Sequence, residues 1–147
     1  MYKPRAILVV DYENARKYLR HALQFVNRNL SRVYRIVKRL AFNVNNVHVP
    51  GLVTILTSYY YNKKIQGNQL VDREIEKYLM NEFDSEVLIL IAGDNHYAKA
   101  LQEVKRRGAY VIVIAHLIAR KLYEIADEYY LVDMDAIPEP VVIPVKQ

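Results

Sequence analysis

The stretch AILVVDYEN, residues 6–14, decides how the rest of the chain is read. Five apolar residues, three of them β-branched, run directly into Asp11 and then into a short polar cluster. A run of that length and composition, bounded by polar residues, predicts a buried strand. An acid immediately after such a strand predicts that the strand ends at a functional edge.

Working outward, apolar residues between 15 and 40 recur mostly at spacings of three and four: Leu19, Ala22, Leu23, Val26, Leu30, Val33, Tyr34, Val37 and Leu40. This predicts helix, with an interruption near Asn29 where Asn27, Arg28, Asn29 and Ser31 are poor helix formers. The opposite side of the segment is basic, which suits either solvation or contact with phosphates. Residues 43–50 read as a connector, 51–61 as a second strand ending in three tyrosines, and 62–68 as a polar loop. Leu70, Val71, Ile75, Tyr78, Leu79 and Phe83 mark a second helical unit, with Asp72 in its first turn.

The run EVLILIAG, residues 86–93, is the most apolar in the chain and predicts a strand buried on both faces, with Asp94 directly after it. Residues 95–107 have helical period and stop at Gly108. Strands are expected at 109–115 and 129–132, with a short helix over 117–126 between them. The prolines at 138, 140 and 144 make the tail extended. One domain over 1–136 follows, with residues 15–48 as a basic helical elaboration and 137–147 as a tail. Strands alternating with helices imply an α/β domain around a mainly parallel sheet of about five strands. In such sheets ligands bind beyond the carboxyl ends of the strands, where strand order reverses. Asp11 and Asp94 both fall on that edge.

Composition narrows the chemistry. The chain of 147 residues has no cysteine, so a metal would be held by oxygen or imidazole. Lysines and arginines outnumber acids 21 to 16, a formal charge of +5, which favours polyanionic partners. The apolar run near the start is too short for a signal peptide and no segment reaches ~20 apolar residues, so a cytoplasmic protein without membrane partners is expected. The four glycines, at 51, 67, 93 and 108, form neither a GxGxxG nor a P-loop, and there is no GxSxG elbow. Dehydrogenase, P-loop NTPase and α/β-hydrolase chemistries are thereby excluded.

Two carboxylates about 4 Å apart repel by roughly 4 kcal/mol at an effective dielectric near 20, and need a proton, an arginine or a cation between them. A Mg2+ or Mn2+ ion answers that need and suits phosphodiester hydrolysis. Each residue also has a plain structural role available. Asp11 or Asp94 alone would serve as a helix cap, and Asp72 would gain from a helix dipole. Asn14 would cap a helix or orient a carboxylate. His96, two after Asp94, is a candidate auxiliary ligand or proton carrier, and Asp127 in ADEYY a lower-ranked acid.

Four segments in order carry a resemblance: DYEN at 11–14, the Leu70-Val71-Asp72 element, AGDNHYAKALQEVKRRGAYVIVIA at 92–115, and LYEIADEYYLV at 122–132. Together they resemble the NYN branch of the PIN-like nucleases. The resemblance implies a Rossmann-like, three-layer PIN/NYN fold and a metal-dependent ribonuclease site, with Asp11, Asp72 and Asp94 as ligands and Asn14 as the accompanying asparagine. It departs in two places: the long basic helical segment before Pro50 is expanded relative to a minimal domain of this type, and, where members often carry a second acid in a GDxDF-like string, this chain has His96 and Tyr97. The second departure would weaken metal binding or leave one ion instead of two, so a non-catalytic RNA-binding module is the alternative. RNA is the expected partner, contacted by Arg16, Lys17, Arg20, Lys63, Lys64 and Lys99, with a homodimer as a candidate assembly.

Overall fold

The computed structural model describes residues 2–43, 47–56 and 67–147. At its centre lies β1 (Arg5–Asp11), whose side chains from Ala6 to Asp11 are all buried. A strand hidden on both faces must be covered by helices on both sides, and the chain supplies them from opposite directions. On one side, α1 (Tyr12–Ala15), α2 (Leu19–Phe25), a π-helical stretch (Val26–Leu30) and α3 (Ser31–Val33) lead to β2 (Arg35–Asn43). On the other, α4 (Gly67–Asn81) connects β3 (Val53–Leu56) to β4 (Val87–Ile91). It is followed by a 3-10 turn (Asn95–Tyr97), α5 (Ala98–Arg106), β5 (Tyr110–Ala115), α6 (Arg120–Ile125), β6 (Glu128–Asp133) and β7 (Val141–Lys146).

The seven strands follow the order β3-β2-β1-β4-β5-β6-β7. The first six in sequence run parallel, and β7 pairs antiparallel with β6. Strand order therefore reverses between β1 and β4, which places a crevice beyond their carboxyl ends. The period-two alternation of strand side chains splits the interior in two. Ile7 and Val9 of β1, with Leu88 and Leu90 of β4, pack against Val71, Ile75 and Leu79 of α4 and Leu101 and Val104 of α5. Leu8 and Val10, with Ile89 and Ile91, pack against Leu19, Ala22 and Val26 on the other face. Each Val, Leu and Ile side chain among these contributes about 1.5–3 kcal/mol by leaving water.

Three sequence expectations change. The helix expected as far as Leu40 stops at Val33; Tyr34 turns to φ −118°, ψ 146°. The Arg35 amide then bonds the Pro4 carbonyl at 2.9 Å and opens a parallel ladder with β1. Apolar residues at 33, 34, 37 and 40 fit a helical period, but Ile36 and Val37 are β-branched and β1 needs a partner on its outer edge. The long-range ladder wins over the local period. The sheet has seven strands rather than about five, because 35–43 forms one and the tail forms another. Pro144, which lacks an N–H, sits in β7, an edge strand where that is tolerated. Finally, β3 is shorter than the strand expected over 51–61, of which residues 57–61 lie outside the described residues.

The stop at Gly108 takes the expected form. Its φ of +98° places it in the left-handed region. Its amide bonds the Lys105 carbonyl while the Ala109 amide bonds that of Val104, the paired closure of a helix ended by glycine. Among the described residues no helix is long and apolar enough to cross a membrane.

Candidate functional site

Asp11 continues the phase of Ile7 and Val9, so its side chain points toward the face covered by α4 and α5. It is 2% exposed. One carboxylate oxygen, Oδ1, caps α1 by accepting from the Asn14 amide at 3.2 Å. The other, Oδ2, lies 2.6 Å from the Tyr97 hydroxyl, and that hydroxyl lies 2.8 Å from Asp72 Oδ1. A phenol has one proton and cannot donate to both. The pair is satisfied only if the carboxylates share a further proton or a cation stands beside them.

Asp72 does not lie in the first turn of its helix. With α4 beginning at Gly67 it sits in the second turn, beyond the reach of unpaired helix amides, so the helix dipole does not account for it. It flanks the apolar stripe of Val71, Ile75 and Leu79, which presses that side of α4 onto the sheet and carries Asp72 to the crevice. Asp94 follows β4 and caps the 3-10 turn by accepting from the His96 amide at 2.9 Å. The His96 imidazole, 72% exposed, places Nδ1 2.7 Å from Asp94 Oδ1 and 3.5 Å from Asp72 Oδ2. Donor atoms of Asp72, Asp94 and His96 lie within 4.8 Å of one another.

The electrostatics follow from this crowding. Burial, chiefly, pushes the Asp11 carboxyl up to about 6; hydrogen bonds from Tyr97 and Asn14 oppose the shift, and the nearby charges of Asp72 and Asp94 add to it. Burial and the Asp94 charge also raise Asp72, against the Tyr97 hydrogen bond. The hydrogen bond to Asp94, and then its charge, raise His96. Burial and the two acids hold the Tyr97 phenol well above its ordinary value, so it stays a neutral hydroxyl.

Asn14 ties two strand ends together. Its Oδ1 accepts from the Gly93 amide at 2.9 Å and from the Tyr18 hydroxyl at 3.4 Å, fixing the turn after β1 against the turn after β4. Gly93 leaves room for β5, since a Cβ there would meet Ala115 Cβ at 3.1 Å. Two contributors were invisible as such in the sequence. Tyr97 belongs to the buried stripe of Ala100, Leu101 and Val104, a core pattern that says nothing of its hydroxyl. Glu76, one turn after Asp72, has its carboxyl raised by burial and then by the Asp72 charge; its i+4 spacing from Asp72 was the available signal.

Other candidates fall elsewhere. Asp127 sits at the opposite sheet edge, 2.6 Å from Lys105 Nζ and accepting from the Val111 amide at 2.7 Å, so it takes no part in the cluster. Arg16 and Lys17 are exposed in the turn between α1 and α2, Arg20 is exposed on α2, and Lys99 is exposed in the first turn of α5. Lys63 and Lys64 lie outside the described residues. Charge is strongly divided along the chain: between Glu13 and Asp72 there are ten lysines and arginines and no acid.

No protein-family model matches the chain, and no curated protein does. Among solved structures, it is similar to a protein of unknown function from Vibrio parahaemolyticus at 17% identity. That match covers 95% of this chain and 97% of the other, with a TM-score of 0.65. At that identity the likeness concerns the fold alone. Homoserine dehydrogenase from S. aureus aligns with a TM-score of 0.43 and 14% identity, over 90% of this chain and 35% of that one. So weak a likeness carries no inference.

Proposed function

We propose that this chain is a metal-dependent ribonuclease with a Rossmann-like PIN/NYN fold, hydrolysing RNA phosphodiesters at a site built on Asp11, Asp72 and Asp94. The observation that carries the reading is the convergence of three carboxylates from three separate elements at the reversal of strand order, Asp11 and Asp72 on the Tyr97 hydroxyl and Asp94 joined to Asp72 through His96. Burial of Asp11, with smaller additions from the Asp72 and Asp94 charges, costs the metal-free fold free energy, as its raised carboxyl records. A site that keeps charges together against repulsion is characteristic of function.

The donor set fits a hard or borderline divalent ion. Asp72, Asp94 and His96 would hold it, with Asp11 as the buried carboxylate behind them; oxygens suit Mg2+ and the imidazole favours Mn2+. When bound, the ion supplies an activated water and neutralises charge on the phosphodiester. The chain's own residues do the rest. Asn14 fixes the distance between the two strand ends, Tyr97 holds Asp11 and Asp72 in one orientation, and His96 reaches solvent to exchange a proton.

A second reading, a non-catalytic RNA-binding module, has one observation in its favour: the position two after Asp94 brings not a further carboxylate but the His96 imidazole, which pairs with Asp94 at 2.7 Å. Incubation of purified protein with RNA and Mn2+, with and without EDTA, separates the two. Chelator-sensitive cleavage that is lost in Asp94→Asn supports the nuclease. RNA binding without turnover, unaffected by Mn2+, supports the module.

A further inference from the structure

The face opposite the α4 side of the carboxylate cluster carries a groove of about 440 Å3, in the size range of small-ligand clefts. It lies between one stripe of the first helical segment and residues 48–50, the loop that follows β2. Tyr12 of α1, Arg16 in the turn after it, Leu19, Arg20 and Leu23 of α2 and Asn27 of the π-helical stretch line it on one side, and Val49 on the other. Leu19 is buried, while Tyr12, Leu23 and Val49 are partly buried against the core, leaving an apolar floor with an aromatic ring at one end.

Arg16 and Arg20 rise from that floor as exposed side chains, and among the described residues neither makes an ion pair. No acid lines the groove. The nearest acid in sequence is Glu13, and the next after it is Asp72. Two unopposed guanidiniums beside an aromatic floor match an anion joined to a flat ring system, the chemistry of a nucleotide within a strand. Only an unpaired base offers its face to Tyr12, since bases in a duplex are covered by their neighbours. Tyr12 directly follows Asp11, so the groove opens from the residue next to the cluster.

We infer that this groove is a binding subsite for one nucleotide of single-stranded RNA, its base on Tyr12 and Leu23 and its phosphates on Arg16 and Arg20. The identity of the polymer rests on the ribonuclease reading; the anion-and-ring chemistry does not. Binding is therefore measured without metal, where cleavage plays no part. Fluorescence anisotropy of a labelled single-stranded RNA of about 12 nucleotides, in EDTA, is compared with the same RNA as a duplex and with single-stranded DNA.

Single-stranded RNA should bind at least about tenfold tighter than the duplex. The double variant Arg16→Gln/Arg20→Gln should lose about tenfold in affinity, and its dependence on salt should fall by about 1.4 in slope. Tyr12→Leu, which keeps apolar volume, should lose about tenfold with the slope unchanged. Equal binding of duplex, tighter binding of DNA than of RNA, or wild-type affinity in the arginine variant would overturn the subsite. Failure of the nuclease reading looks different: binding in EDTA persists while Mn2+ produces no cleavage.

Discussion

The two faces of the sheet bring opposite charges to the same edge, and by different means. On the α4 side, Asp11, Asp72 and Asp94 are gathered by three elements separated by up to 83 positions, and each is held by hydrogen bonds to Tyr97, His96 or a helix amide. On the α1–α2 side, Arg16 in the turn after α1 and Arg20 of α2 line one groove, exposed and without ion-pair partners among the described residues. Acids brought together repel, and more strongly where they are buried, so they must be braced by donors. Cations that await an anion are left in water, where separation is cheap. On the proposed reading the two faces divide the work, the braced side for chemistry and the open side for holding a polyanion.

The strongest way to break that comparison is Asp94→Asn. Cleavage of RNA in Mn2+ should fall by about a hundredfold or more, since a ligand charge is lost, while RNA affinity in EDTA stays within about twofold. Loss of both together would dissolve the distinction between the faces.

A smaller effect concerns the stability of the metal-free fold. The Asp11 carboxyl is raised in the folded protein to about 6 from an ordinary 3.8, so the folded state binds a proton more tightly than the unfolded state. Stability should therefore decline as pH rises from about 4 through 6, by an amount on the order of 2–3 kcal/mol. Asp11→Asn should remove that decline and stabilise the metal-free protein at neutral pH. Its Nδ2 would donate to the Tyr97 oxygen and free the phenol proton for Asp72. Chemical denaturation in EDTA at several pH values measures this, and an unchanged pH profile in the variant would show that Asp11 is not the strained group. Added Mn2+ should stabilise the wild type by mass action, and should still stabilise the variant, which keeps Asp72, Asp94 and His96.

Asn14→Ala should cost about 1 kcal/mol by leaving the Gly93 amide without its partner, and should lower cleavage more than RNA affinity. The smallest effect is expected far from either face. Tyr110→Phe removes a hydroxyl that donates to Glu128 at 2.5 Å near the amino end of β5. It should cost no more than about 1 kcal/mol and leave cleavage and binding unchanged. A change in either activity there would show that the two faces are not functionally separate from the rest of the sheet.

The elements around Asp11 were legible for a physical reason. A strand buried on both faces needs an unbroken apolar run, and residues 6–10 and 87–91 contain little else. The glycine stop at 108 was equally plain. Residues 35–43 were not, because their apolar spacing suits a helix and only pairing with β1 makes them a strand. Asp72 was legible as an acid on a helix but not as lying in the second turn. Tyr97 read as core, and no pattern in one dimension shows which of thirteen tyrosine hydroxyls lies between two carboxylates.

By itself, then, the sequence determined an α/β chain with acids at the ends of two buried strands, a basic region free of acids, and no cysteine ligand. These are properties of composition and local period. The tertiary structure alone decided that β1 and β4 are neighbours, that α4 carries Asp72 to their ends, and that Tyr97 stands between Asp11 and Asp72. Those are long-range contacts, fixed by which faces must be buried together, and burial of that kind is settled only when the whole sheet closes its two cores.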